Sequence, residues 1–135
     1  MLPSGLPEQV ADPEPLARFL TSDGQFNRGM AKAPAFMPGP ADGATSVFRQ
    51  STVPPEALWA LADRELEPQR KARGVAVLTA AQVRSAQLEV MASEPPARHA
   101  NIQGWPEVAG DTDLTRARRR EQALLLASVA QLVLR

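Results

Sequence analysis

The sequence has no cysteine, no tyrosine and only one histidine, His99. Without cysteine the chain can form no disulfide, no thiolate metal site and no cysteine nucleophile. One histidine and no cysteine also exclude the usual zinc ligand sets, so we expect no metal site and no cofactor. The absence of tyrosine removes a phenolic acid–base group and leaves few aromatic platforms on which single-stranded nucleic acid could stack.

The chain also lacks net charge and long apolar runs. Its 15 basic and 15 acidic side chains give a formal net charge of zero, which argues against attraction of the whole surface to nucleic acid or an anionic membrane. The longest mostly apolar run, residues 123–134, is too short to span a bilayer. The N-terminus lacks the basic and apolar regions of a secretory signal. We therefore expect a bacterial, cytoplasmic protein that does not enter a membrane.

Several catalytic and nucleotide-binding motifs are missing. The glycines do not have the spacing of a phosphate-binding loop or a dinucleotide fingerprint. There is no Gly-x-Ser-x-Gly nucleophile motif. The acidic residues fall mostly in 63–67 and 107–113, where surface and helix-capping roles explain them, so a carboxylate magnesium site is not expected.

The residues that are present predict an extended, proline-rich arm over 1–15 and a single α+β domain over 16–135. Alternating or short apolar runs indicate a small sheet of about four or five strands, covered by two or three helices. The predicted strands are Ala35–Met37, Thr45–Gln50, Gly74–Leu78, Leu88–Met91 and, as a fifth, Arg98–Ile102. Because Thr79 to Gln87 is too short for a parallel crossover, the sheet is expected to be mixed or antiparallel.

Four segments predict helical structure. Pro15–Leu20 has apolar residues at helical spacing and predicts one or two turns. A helix follows the two prolines at 54–55 and ends before Pro68, and a short one follows the capping-box pair Thr79 and Gln82. The last and longest helix is expected from Asp113 to Val133. Its second half is apolar on nearly every face, which indicates burial in the domain or against a partner.

His99 is the candidate acid–base group, because its side chain titrates near neutral pH. In a strand, His99 and Asn101 would share one face, and Arg49 from another strand could supply a cation for an anionic or carbonyl group. Arg98 is a further candidate anion-binding residue. The alternative is that His99 is a hydrogen-bonded structural residue. The candidate catalytic residues are therefore His99, Arg49, Arg98 and Asn101, and none of them is an identified nucleophile.

The C-terminal third contributes two binding hypotheses. Close spacing of four arginines predicts a patch for phosphate or an acidic partner, unless they form a solvated face: Arg116, Arg118, Arg119 and Arg120. Trp105 is either an apolar cap on the core or an anchor for a partner. Leu125 and Leu132 are candidate partner-binding residues on the apolar end of the chain.

These features favour a non-catalytic binding or accessory module that acts in a protein or protein–nucleic-acid assembly. A protein partner or a second copy would bind through the C-terminal helix, and nucleic acid through the arginine patch. The alternative is a small enzyme of transferase or nuclease type that uses His99 with Arg49 and Arg98. A bacterial toxin- or antitoxin-like role is a third hypothesis.

Overall fold

The structure, a computed structural model, describes residues 2–135 and contains one six-stranded sheet with three α-helices. The strands are β1 (Pro15–Leu20), β2 (Thr45–Arg49), β3 (Gly74–Thr79), β4 (Glu89–Ala92), β5 (His99–Gln103) and β6 (Gln131–Leu134); the helices are α1 (Leu58–Glu65), α2 (Ala80–Ser85) and α3 (Thr112–Val129). All pairings are antiparallel, in the order β4-β5-β2-β1-β3-β6. The α+β class and the long C-terminal helix are confirmed. The sheet has six strands, which is more than expected.

The segment Pro15–Leu20 forms a central strand, so the prediction of helical turns was wrong. It pairs with β3 along its whole length and with β2 at one end. Leu16 and Leu20 face one side of the sheet while Ala17 and Phe19 face the other, and all four are buried. A strand that is buried on both faces shows no polar–apolar alternation, and its apolar residues can also match a helical period.

Two further predictions need correction. Ala35–Met37 is not an edge strand; Ala33–Ala35 form a short 3₁₀ turn with proline in its first turn, and Phe36 behind it is fully buried. The last helix ends at Val129 rather than Val133. Ala130 has an extended backbone, and the four residues after it pair with β3 as an edge strand. Pairing with an otherwise open sheet edge therefore competes successfully with continuation of the helix.

The helices cover the two faces of the sheet unequally. On one face, the core face, α2, α3 and the 3₁₀ turn pack over residues such as Leu16, Val47 and Ile102. On the opposite face, α1 packs over a smaller cluster that includes Phe19 and Phe48. None of the helices in the described chain combines the length and apolar character that crossing a membrane requires. The part of the second face beyond α1 is left open, and His99 lies there.

Side-chain caps are present at the N-termini of α2 and α3. Thr79 accepts a hydrogen bond from the Gln82 backbone N–H at 3.2 Å, and the Gln82 side chain accepts one from the Thr79 N–H at 2.9 Å, which confirms the capping box. Asp111 caps α3 by accepting from the Leu114 N–H at 2.9 Å. Each cap satisfies backbone donors that have no partner within the helix.

Candidate functional site

His99 lies near the start of β5 with its ring held between two oxygen atoms. Nδ1 is 2.9 Å from the Ser93 carbonyl oxygen, and Nε2 is 2.8 Å from the Ser46 hydroxyl. A carbonyl oxygen only accepts, so Nδ1 carries the proton and Nε2 of the neutral ring accepts from Ser46. The ring also meets Phe48 edge-on, with centroids 5.5 Å apart. The imidazole is therefore fixed in one orientation, with its basic nitrogen on a hydroxyl group.

Arg49 does not join His99, because the two side chains lie on opposite faces of the sheet. His99 pairs across the strands with Phe48, the neighbour of Arg49, and successive residues of a strand point to opposite faces. The Arg49 side chain is fully buried and forms a bidentate ion pair with Glu14, with one N–O distance of 2.9 Å. It also donates to the carbonyl of Pro7 at 2.6 Å. Arg49 thus fastens the N-terminal arm to the core face.

Asn101 and Arg98 have separate environments. Asn101 shares the face of His99, as predicted, and its Oδ1 is buried without a hydrogen-bond partner among residues 2–135. Arg98 has a backbone φ of 71° and donates to the Ser51 carbonyl at 2.5 Å and the Thr52 hydroxyl at 2.8 Å. Its guanidinium therefore holds the turn after β2.

A cavity of about 520 Å³ opens beside His99, and we call it the His99 pocket. Its walls include Arg18, Phe19, Ser46, Phe48, Arg70 and His99. β1 and β2 pair at only two positions and then separate. The Arg18 guanidinium fills the gap, where Nη1 donates to the Ser46 carbonyl at 3.0 Å and Nε donates to the Ala35 carbonyl at 2.8 Å. The diverging strands thus place a cation in the wall of the cavity that Ser46 and His99 also line.

Arg18 is a partly buried cation without an acidic partner. No carboxylate oxygen in the described chain lies within 4.0 Å of its guanidinium nitrogens. Burial, together with the positive charge of Arg70, lowers the pKa of Arg18 from its ordinary value to about 10. Both effects disfavour the charged form, and no acidic group offsets them.

The remaining predicted sites lie elsewhere. Trp105 is buried in the core, and its indole N–H donates to the Ile102 carbonyl at 3.1 Å. Of the four arginines, Arg119 is partly buried and donates to the Pro106 carbonyl at 2.8 Å, while the other three are exposed along the first half of α3. Arg119 therefore holds the loop that follows Trp105. Nucleic-acid binding by the exposed three stays a prediction.

The C-terminal end presents a concentration of exposed apolar side chains. Among residues 2–135, eight large apolar side chains are exposed, and six lie in α3 and β6. Leu114 is in the first turn of α3, and the other five lie in the second half of α3 or in β6. These five define the C-terminal surface, which continues around the β6 edge because Val133 points to the α1 face of the sheet and α3 lies on the opposite face: Leu124, Leu125, Val129, Val133 and Leu134. Leu125, one of the predicted partner-binding residues, is 55% exposed. Leu132, the other, is half-buried and packs against the core.

Sequence reasoning missed Ser46 and Arg18. The predicted strand Thr45–Gln50 implies that Ser46 and Arg49 point to opposite faces, which the structure shows. It does not connect Ser46 to His99, because the register between β2 and β5 is set by non-local pairing. Arg18 lay within the segment assigned to helical turns, where a charged residue among apolar ones looks like the exposed side of a helix. In the sequence, the only indication of a role for Arg18 is that a single charged residue stands between the apolar residues Leu16 and Leu20.

Within the described residues there is no group of three or more histidine, aspartate or glutamate side chains that could hold a metal ion. A scan against protein-family models, a search of curated proteins and a search of solved structures each found no match to the chain.

Proposed function

We propose that the protein is a binding module that works within a protein assembly, and that its C-terminal surface pairs with a second copy of the same chain. The observation that supports this most is the coincidence of exposed apolar side chains with an open sheet edge. Val133 and Leu134 are 45% and 48% exposed on β6 itself, and Leu125 and Val129 lie one turn apart on the helix leading into it. Concentrated exposed apolar residues are typical of interaction sites.

The outer edge of β6 is suited to strand addition. β6 is the last strand of the sheet, and no other strand in residues 2–135 pairs with its outer side. Monomeric proteins protect such edges with charged residues, proline or bulges. The four residues Gln131–Leu134 contain none of these protections. The opposite edge strand, β4, carries Glu89, which makes it the less suitable of the two.

A second copy is the occupant that this edge fits best. Two β6 strands related by a twofold axis perpendicular to the sheet would pair antiparallel, with the Leu132 residues of the two copies opposite each other. Gln131 of each copy would then face Val133 of the other, so no charged residue would stand in the pairing. An isologous contact of this kind uses the same surface from both chains. The same axis would bring the exposed leucines of the two α3 helices toward each other.

Light scattering after size-exclusion chromatography tests this proposal. The wild-type chain should elute with twice the 14.5 kDa chain mass in the micromolar range. Leu125→Lys and Val133→Lys should each give the single chain mass, because pairing would bury an uncompensated charge. Met91→Lys is the matched control, since Met91 is 50% exposed on the other edge strand, and should leave the dimer intact. A monomeric wild type, or dimerisation unaffected by both substitutions, would contradict the proposal.

A second function is favoured by the Ser46–His99 hydrogen bond. A hydroxyl that donates to an imidazole, whose other nitrogen is held by a third group, is the arrangement that activates serine as a nucleophile. The enzyme hypothesis then takes a new form, with Ser46 as the attacking group, His99 as the base and the Ser93 carbonyl as the orienting group. Acyl transfer from an ester is the reaction class that fits these groups.

Hydrolysis of nitrophenyl esters distinguishes this second function. If it operates, Ser46→Ala should reduce turnover by about a hundredfold or more while His99 is still present. The folded state can be checked by circular dichroism. Equal ester hydrolysis by wild type and Ser46→Ala would show that any activity is background imidazole chemistry, and would rule out a nucleophilic role for Ser46.

A further inference from the structure

We propose that the His99 pocket binds a small organic anion, a carboxylate or phosphate monoester with an apolar body, and that Arg18 receives its negative charge. The proposal is independent of pairing at the C-terminal surface. It also holds whether or not Ser46 reacts, because it concerns recognition of the ligand and not its conversion.

The first argument is the hydrogen-bonding state of Arg18. Its guanidinium has five N–H groups, of which Nε and one on Nη1 are used by the Ala35 and Ser46 carbonyls. These two bonds fix the plane of the guanidinium at the pocket wall. No protein acceptor within residues 2–135 bonds to Nη2. A fixed guanidinium with free donors is preorganised for the oxygen pair of a carboxylate or phosphate.

The second argument is the charge balance of the pocket. Arg70 is the second cation in the wall, and its field acts on Arg18. Two acidic residues also line the cavity, but both have other partners. Glu65 pairs with Arg64 at 3.0 Å, and Asp42 accepts from the Ala44 N–H of its own turn at 3.2 Å. An incoming anion would therefore meet two cations and one carboxylate, that of Asp42, that are not neutralised by ion pairing, which leaves an excess of positive charge.

The third argument concerns the rest of the ligand. Phe19 and Phe48 form an apolar part of the wall, with ring centroids 5.7 Å apart, and Leu66 at the end of α1 adds to it. Pockets for small molecules combine such apolar walls with a few fixed polar groups. The volume of about 520 Å³ accommodates an aromatic ring together with its charged group. The pocket therefore suits an amphipathic anion better than inorganic phosphate alone.

The test uses benzoate and phenyl phosphate as probes, with benzyl alcohol as the uncharged comparison, in titrations of the full chain followed by NMR. His99 is the only histidine, so its ring Cε1–H signal reports on this pocket alone. At least one anion should bind saturably and move that signal, and benzyl alcohol should bind more weakly. The two anions show which of the two charged groups the pocket prefers.

Three substitutions locate the charge recognition. Arg18→Lys should weaken anion binding by about tenfold, because the fork of donors is lost. Arg70→Gln, at an exposed residue that folding does not require, should weaken it by about two- to fivefold. Lys71→Gln is the matched control, because this neighbouring cation does not line the pocket, and should leave the affinity unchanged. The proposal is overturned if neither anion moves the His99 signal, if benzyl alcohol binds equally well, or if Arg70→Gln binds like Lys71→Gln.

Discussion

At the scale of single residues, the best-supported role is that of Arg49 as a structural anchor. Its side chain has no solvent exposure, and its donors are directed at Glu14 and at backbone carbonyls of the N-terminal arm. Val10, in the same arm, is buried in the core cluster. The ion pair therefore holds a segment that contributes apolar contacts of its own.

Removing one partner of this buried pair should be strongly destabilising. Glu14→Gln leaves the Arg49 charge buried without its counter-ion, and we expect a loss of about 3–5 kcal/mol in the free energy of unfolding. Urea denaturation followed by circular dichroism measures it. Glu8→Gln is the control, since Glu8 lies in the same arm but is exposed. If the two variants have equal stability, the Arg49–Glu14 pair does not hold the arm.

Residue patterns predicted which side chains share a strand face but not which strands meet. The two-residue period placed His99 with Asn101 and separated Arg49 from Ser46, and both assignments hold. Whether Arg49 or Ser46 would meet His99 depends on the register between β2 and β5. Because that register is a non-local property, a single sequence leaves it open.

At the scale of elements, local patterns identified the strands and helices whose surroundings agree with their sequence. Gly74–Thr79 is an apolar run and forms a buried strand, and Thr79 caps the helix that follows it. Pro15–Leu20 was predicted to be helical because its apolar spacing also fits a helical period, and residues 131–133 because they continue the apolar half of the last helix. Pairing with β3 decides both cases, since it supplies backbone partners that the sequence alone does not reveal.

The end of β6 is held to α1 by an ion pair that should respond to acid. Arg135 donates to both carboxylate oxygens of Asp63, at 2.8 and 2.7 Å, and lies over the Trp59 ring. The hydrogen bonds from Arg135 lower the pKa of Asp63 below its ordinary 3.8. A lowered folded-state pKa contributes stability above the unfolded value, and that contribution is lost as the pH falls through the folded value.

Asp63→Asn should therefore lower Tm by a constant amount at pH values above the ordinary aspartate pKa, and the difference from wild type should shrink at lower pH. Thermal unfolding of both proteins across the acid range measures this. Glu121→Gln is the control, because Glu121 is exposed on α3 and no cation in residues 2–135 lies within 4.0 Å of it. A Tm difference that stays the same down to strongly acid pH would show that the ion pair is not its cause.

At the scale of the whole molecule, the fold is a sheet with one fully covered face, one half-covered face and two unlike edges. The core face supplies most of the buried apolar side chains, and the open half of the other face forms the His99 pocket. The mixture of strand and helix patterns was enough to predict the α+β class. The strand order was not predictable, because β1 reaches the centre only by pairing with strands far from it in the sequence.

This arrangement separates the two proposed activities in space. The His99 pocket lies between α1 and the β2–β5 half of the sheet, whereas β6 is the edge strand beyond β3. Pairing of two chains through β6 would therefore leave both pockets open. A dimer of this kind would present two anion-binding sites on one continuous sheet.

Amide hydrogen exchange at β6, measured as a function of protein concentration, tests the assembly most directly. If two chains pair through this edge, the outward-pointing amides of Gln131–Leu134 should exchange slowly at high concentration and rapidly on dilution. The amides of Glu89–Ala92 at the other edge should exchange at a rate independent of concentration. Exchange at β6 that does not change with concentration, while the protein remains folded, would contradict pairing through this strand.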